Sequence, residues 1–332
     1  MSDHDPDGSG STGTPDRGGM SRRGFIAGAA GLTGVALSGV WRGAPAAAAT
    51  ADASARGRQV GGHVFLQLER TVVGELKAFQ GGNLVGVTED DPPGRDPYVH
   101  KHIGGFKWED ISLKAGLGLK PAFYDWVSAF MLGDRRAHAG SIISTDGNFA
   151  IKQRLDFPSA VVTEVDWPAL DASSKDPAYL TVKITPQSTS RRLATGQIKS
   201  GPPNQQKVWL PANFRLAIGE LDCTHVSKID AIAIKWSEAD KIEVSPLGFT
   251  LSAAFGKTWL AFMDDFVLGG GDELAGKLEV LDPSLSTTLA FLELGHVGIY
   301  MLDTLGVQPS GTIPRLKAEM YNEEIAFTYG PG

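Results

Sequence analysis

Two stretches of the chain carry the same apolar stripe at helical spacing. Phe123, Trp126, Val127, Phe130 and Met131 fall at i, i+3, i+4, i+7 and i+8, behind Pro121 and ahead of Gly133. A proline suits a first helical turn, where its missing amide leaves no bond unmade, and a glycine suits the end. The spacing therefore predicts one amphipathic helix here. The stripe returns 136 positions on (Trp259 against Phe123) as Trp259, Phe262, Met263, Phe266 and Val267, and stops at Gly269. The offset persists downstream. Asp146, closing the run 141–145, maps onto Asp282, closing 277–281; alternating Leu180, Val182 and Ile184 map onto Leu316, Ala318 and Met320. A helix and several strand-like runs at one fixed offset predict duplication of one fold.

The remaining apolar positions mostly alternate, which predicts strands. In the first copy these are 63–68 with its hairpin partner or the next strand at 71–79, then 107–114, 141–145, 150–157, 160–165 and 179–185. The second copy opens on 214–221 and continues with 228–235 and 244–253, followed by its helix and strands running to Phe327. The stretch 81–105 differs in kind. It holds Asp90, Asp91, Pro92, Pro93, Gly94, Arg95, Asp96 and Pro97 and few apolar residues, so it predicts a long functional loop. The second copy replaces it with a short turn at 237–241. Gly201, Pro202, Pro203 and Asn204 mark a linker. The expected organisation is a leader at 1–55, a domain at 56–197, a linker at 198–212 and a second domain at 213–330. The fold class is mainly β (α+β): two small β-barrel or sandwich domains, each with one flanking helix.

Composition adds an address. Residues 1–20 are too poor in apolar side chains to fold. Arg22 and Arg23 precede Phe25 and an apolar, Gly/Ala-rich stretch from 26 to 40, and alanines at 46–49 offer cleavage sites. This order predicts a twin-arginine export signal, hence a secreted or extracytoplasmic protein with the translocase as a transient partner. The apolar stretch is short for a membrane span, so no stable membrane insertion is expected after cleavage. The net charge of −7 gives no general attraction to nucleic acid. Cys223, the single cysteine, excludes an internal disulfide framework; it is expected as a small buried residue in a strand.

Four further elements carry a resemblance. The line from Lys101 to Lys114, the helix with Tyr124-Asp125-Trp126, Phe157-Pro158-Ser159-Ala160 and Leu170-Asp171-Ala172-Ser173-Ser174 stand in that order. They resemble the central segment of contractile-phage tail tube proteins, over residues 64–195; the second copy is similar only in pattern. The resemblance implies a six-stranded barrel or sandwich with one helix, assembled edge to edge into six-fold rings that stack into tubes. It also implies that the loop with Asp90, Asp91, Arg95, Asp96, His100, Lys101 and His102 is an arm reaching a neighbouring subunit or ring. Two such domains per chain imply self-association as a trimer that makes a hexamer-like ring with three arms. The export signal is the departure from that family.

No G-x-S-x-G, no G-x-G-x-x-G after a strand, no P-loop and no H-E-x-x-H occurs, so no enzyme and no cofactor are expected. His100 and His102 stand at strand spacing and could face one side as metal ligands, but a mixed-charge loop is more simply solvated. Asp264 and Asp265 fall off the helical stripe and read as solvent-facing. Trp108, Trp126, Trp167, Trp209, Trp236 and Trp259 admit an alternative, an exported β-sandwich module binding a glycan or a metal.

Overall fold

The computed structural model describes residues 62–92, 94, 96–199, 209–237, 239–304 and 314–330. The export motif, including Arg22, Arg23 and Phe25, lies outside the described residues, as does Arg95.

The first repeat runs β1 (Val64–Leu68), β2 (Thr71–Leu76), β3 (Ala78–Gly81), β4 (Leu84–Asp90), β5 (Lys101–Trp108), β6 (Ile111–Ala115), α1 (Pro121–Met131), β7 (His138–Thr145), β8 (Ile151–Trp167), β9 (Leu170–Asp171), β10 (Leu180–Pro186) and β11 (Ser190–Leu193). The second runs β12 (Phe214–Ile218), β13 (Val226–Ile229), β14 (Ile232–Trp236), β15 (Ile242–Val244), β16 (Leu247–Ser252), α2 (Lys257–Gly269), β17 (Leu274–Leu281), β18 (Thr288–Thr304) and β19 (Arg315–Tyr329). The fold is mainly β with one principal helix per repeat.

The two repeats share one strand order. Hydrogen bonding links β1-β7-β8-β10-β6-β3 in one sheet and β12-β17-β18-β19-β16-β13 in the other. The registers match as well. Leu180 faces Ala115 as Leu316 faces Leu251, and Leu193 faces Gln153 as Tyr329 faces Ala290. Even the irregularities recur: β8 bulges between Phe157 and Ala160 against β7, and β18 bulges between Leu294 and Val297 against β17. Asp146 and Asp282 both accept backbone amides in the turn that follows their strand, from Asn148 and Ala150 and from Ser286 and Thr287.

Several boundaries differ from the sequence expectation, each for a physical reason. Residues 150–157 and 160–165 form the single strand β8, because the bulge absorbs Pro158 and no ladder amide is lost there. Much of 81–105 is an ordered hairpin of β4 and β5, leaving only its tip as a loop. The runs 107–114, 228–235 and 244–253 are each broken by a sharp turn into two strands with different partners. Cys223 sits in the connection between β12 and β13 instead of a strand. It is buried, and that burial pushes its thiol up to about 11.

The boundary at 198–212 does not separate two cores. The described residues make one compact unit, and one apolar cluster runs from Leu66 through α1 to Phe327. Strands cross the seam in both directions. β9 of the first repeat pairs with β13, and β14 of the second pairs with β8. Alternation predicts which side of a strand turns inward, but not whose side chains it meets.

Candidate functional site

Chemistry that would act on a substrate finds little to build on. His63, His100, His102, His138 and His296 each stand within ion-pair distance of a carboxylate: Glu75, Asp96, Asp91, Glu69 and Glu273. Among the described residues no group of three or more His, Cys, Asp or Glu side chains could hold a metal ion. Among the described tryptophans, Trp126, Trp167, Trp209 and Trp259 are fully buried and cannot stack on a sugar. Trp236 lines a cleft of about 630 Å³ between the end of α1, the β14–β15 hairpin and strands β18 and β19. Asp264 and Asp265 are exposed on α2, off its buried stripe.

The informative surface is the seam between repeats, because it has a counterpart on which none of the described residues pairs. Inside the molecule, β14 adds to the open edge of β8, placing Ile232, Ala233, Ile234 and Lys235 opposite Trp167, Asp166, Val165 and Glu164. Ile232 and Ile234 are buried there. The equivalent edge of β18 lies at Met301–Thr304, since β8 and β18 share one ladder on the other side (Asp166 on Thr181, Asp303 on Lys317). Among the described residues, nothing pairs with that edge of β18 beyond Val297.

The β4–β5 hairpin is the first-repeat counterpart of β14–β15. Both are two-stranded ribbons leading into a core strand, and both lie between equivalent strands, β3 and β6 or β13 and β16. Yet among the described residues β4 and β5 pair only with each other. Their register sets Leu84 beside Trp108, Gly86 beside Phe106 and Thr88 beside Ile103, so one face is apolar. A side chain built on Gly86 would touch Ile103, which confirms that these residues share a face. Phe106 is 71% exposed, and Leu84 and Ile103 are exposed with it. The other face carries Val85, Val87 and Glu89 beside Lys107 and His102, and at the tip His102 bonds to Asp91 and Lys101 pairs with Asp90. Of the predicted arm residues, Asp90, Asp91, Asp96, His100, Lys101 and His102 all gather at this tip in local ion pairs.

The helices tell the same story. α1 buries Phe123, Tyr124, Trp126, Val127, Phe130 and Met131, because β19 of the second repeat covers the side that its own sheet leaves open. Tyr124 stacks on Tyr329 at 3.9 Å between ring centroids, and Ser128 donates to the Phe327 carbonyl at 2.8 Å. The Tyr124 hydroxyl donates to the Gly116 carbonyl and accepts from the Leu119 amide; burial raises its pKa. In α2 only Trp259 is fully buried, and Leu268 is 83% exposed, with Leu260 and Val267 also turned to solvent.

Sequence reasoning singled out the stretch 81–105 but missed the covered and uncovered edges. One signal was present: the 136-residue offset, carried from the helices into the last strands, pairs Tyr124 with Leu260 and Tyr329 with Leu193.

No protein-family model and no curated protein matches the chain. Among solved structures, the chain is similar to a protein of the sheath–tube complex of an extracellular contractile injection system, at 17% identity and TM-score 0.34, over 40% of this chain and 88% of that one. It is also similar to a protein of the tube-terminating cap of the anti-feeding prophage, at 19% identity and TM-score 0.34, over 40% and 88%. A third, from the baseplate of the anti-feeding prophage, shows 9% identity and TM-score 0.24 over 50% and 93%. The first two likenesses each span a length comparable to one repeat.

Proposed function

We propose that the chain is a structural protein whose copies join head to tail, the second repeat of one receiving the first repeat of the next. The observation that carries this reading is the β14·β8 pairing: an edge of the first repeat is covered, and among the described residues the equivalent edge of the second is not. Unpaired edges and an exposed apolar ribbon are liabilities that a sister molecule removes. The contact is heterologous, so it either closes into a ring or continues as a filament.

Closure with three chains gives six repeats in a pseudo-six-fold ring, the arrangement that the tail-tube resemblance implies, with three β4–β5 arms in place of six. On this reading the twin-arginine motif around Arg22, Arg23 and Phe25 delivers the folded chain through the translocase, and the ring or tube stands outside the cytoplasm. The chain needs no cofactor for this role and performs no catalysis.

The test is a light-scattering mass of the purified chain together with negative-stain micrographs. Trimers or larger closed species are expected. A single-chain mass at every concentration sinks the proposal.

A further inference from the structure

The duplication specifies contacts between copies residue by residue, if the reading of head-to-tail assembly holds, on which this inference rests. Inside the chain, α1 of the first repeat meets the end of β19 through three side chains. Tyr124 stacks on Tyr329 with ring planes 16° apart, and Ser128 bonds to the backbone at Phe327. The equivalent helix positions in the second repeat are Leu260 and Asp264, fixed by the shared stripe of α1 and α2. The equivalent strand positions in the first repeat are Leu193 and Arg191, fixed by register: β11 on β8 and β19 on β18 run in the same alignment.

These four residues have the exposure and chemistry of an interface without its other half. Leu193 is 88% exposed, the highest value among the exposed large apolar side chains, and Leu260 is 51% exposed, whereas Tyr124 is 1% exposed. A leucine at the tip of an edge strand with no apolar neighbour to cover it gains nothing for a lone chain. Asp264 and Arg191 carry opposite charges at the positions where the internal seam has a hydroxyl and a carbonyl. Among the described residues neither Asp264 nor Arg191 makes an ion pair, and Arg191 donates to the neutral Asn83 side chain. Both are thus free to meet a partner of opposite sign.

We infer that Leu260 and Asp264 on α2 of one copy dock against Leu193 and Arg191 on β11 of a second copy, reproducing between chains the Tyr124–Tyr329 contact made within one. The occupant of the exposed α2 face is therefore the β10–β11 end of another first repeat. That contact brings the apolar face of the β4–β5 ribbon toward the α2 end that carries Val267 and Leu268. In the internal seam Trp236 of β14 approaches Phe130 of α1, at 6.4 Å between ring centroids.

Cysteine cross-linking tests the pairing directly. Cys223 is buried, with its thiol pushed up to about 11, and leaves the background silent toward a short bifunctional thiol reagent. The full chain is prepared with Leu193→Cys, with Leu260→Cys and with both. Mixing the two single variants should give covalent dimers, each single variant alone should give none, and the double variant should give a ladder of multiples. Asp264→Arg should weaken association about tenfold or more, and adding Arg191→Asp should restore it. A light-scattering mass of each preparation separates the outcomes. Multimers without a 193–260 cross-link overturn this interface and leave self-assembly standing. Monomers at every concentration overturn both.

Discussion

Helices α1 and α2 carry one stripe at one offset and end in very different surroundings. Both place an indole in the core, Trp126 donating to the Arg136 carbonyl at 2.9 Å and Trp259 to the Asp222 carbonyl at 3.0 Å. Both stop at a left-handed glycine, Gly133 at φ 84° and Gly270 at φ 69°. The difference lies on the far side of each helix, where α1 meets β19 and α2 meets solvent. The ribbons differ in the same sense, β14–β15 seated on β8 and β4–β5 seated on nothing described. A stripe in the sequence thus reports that a helix face will be buried. It does not report whether the same chain supplies the cover.

Equivalent substitutions in the two repeats should therefore have unequal effects, and the largest gap is in the ribbons. Ile234→Asp puts an unpaired carboxylate into a fully buried site opposite Val165, and should cost about 4 kcal/mol or more in chemical denaturation. Leu84→Asp in β4 should leave the monomer within about 0.5 kcal/mol of the parent and abolish association instead. In the helices, Tyr124→Ala removes a stacked ring and two hydrogen bonds and should cost about 3–5 kcal/mol. Leu260→Ala should cost about 0.5 kcal/mol or less.

Smaller effects sharpen the comparison by showing where the repeats agree. Gly133→Ala and Gly270→Ala both meet open space, so only backbone strain opposes them. Each should lose about 1–2 kcal/mol, and the two losses should be equal. The smallest effect belongs to the β9 clip. Lys228, 2.7 Å away, and then Ser173 hold the Asp171 carboxyl down at about 2. A depressed carboxylate stabilises the fold above its unfolded pKa and loses that contribution as pH falls through its folded one. Stability should fall between about pH 4 and pH 2 by under about 1 kcal/mol from this partly exposed pair, and Lys228→Met should flatten that part of the profile.

Much of this architecture was legible in the residues. The helices, the linked runs at Asp146 and Asp282 and the alternation of β10 and β19 follow from local spacing, which is what periodicity reports. The arm was read as a loop because its Pro and Asp residues cluster at 90–97. Its flanks, Leu84–Asp90 and Lys101–Trp108, alternate weakly, with Gly86, Gly104 and Gly105 interrupting the pattern. Pro158 suggested a break in β8 because a bulge has no signature in a single strand. The seam itself was invisible: pairing β14 with β8 joins residues about seventy positions apart, and no local feature of Ile232–Trp236 names its partner. Leu193 and Leu260 looked unremarkable for the same reason, their counterparts Tyr329 and Tyr124 being aromatic.

The account stands on the claim that the uncovered faces of the second repeat are covered by the first repeat of another chain. Sedimentation equilibrium of the parent chain beside Leu84→Asp, over a concentration series, tests it most directly. The parent should move to masses that are whole multiples of one chain while the variant stays at a single-chain mass with its circular dichroism unchanged. Parent and variant sharing one monomeric mass throughout, or both assembling alike, would contradict it.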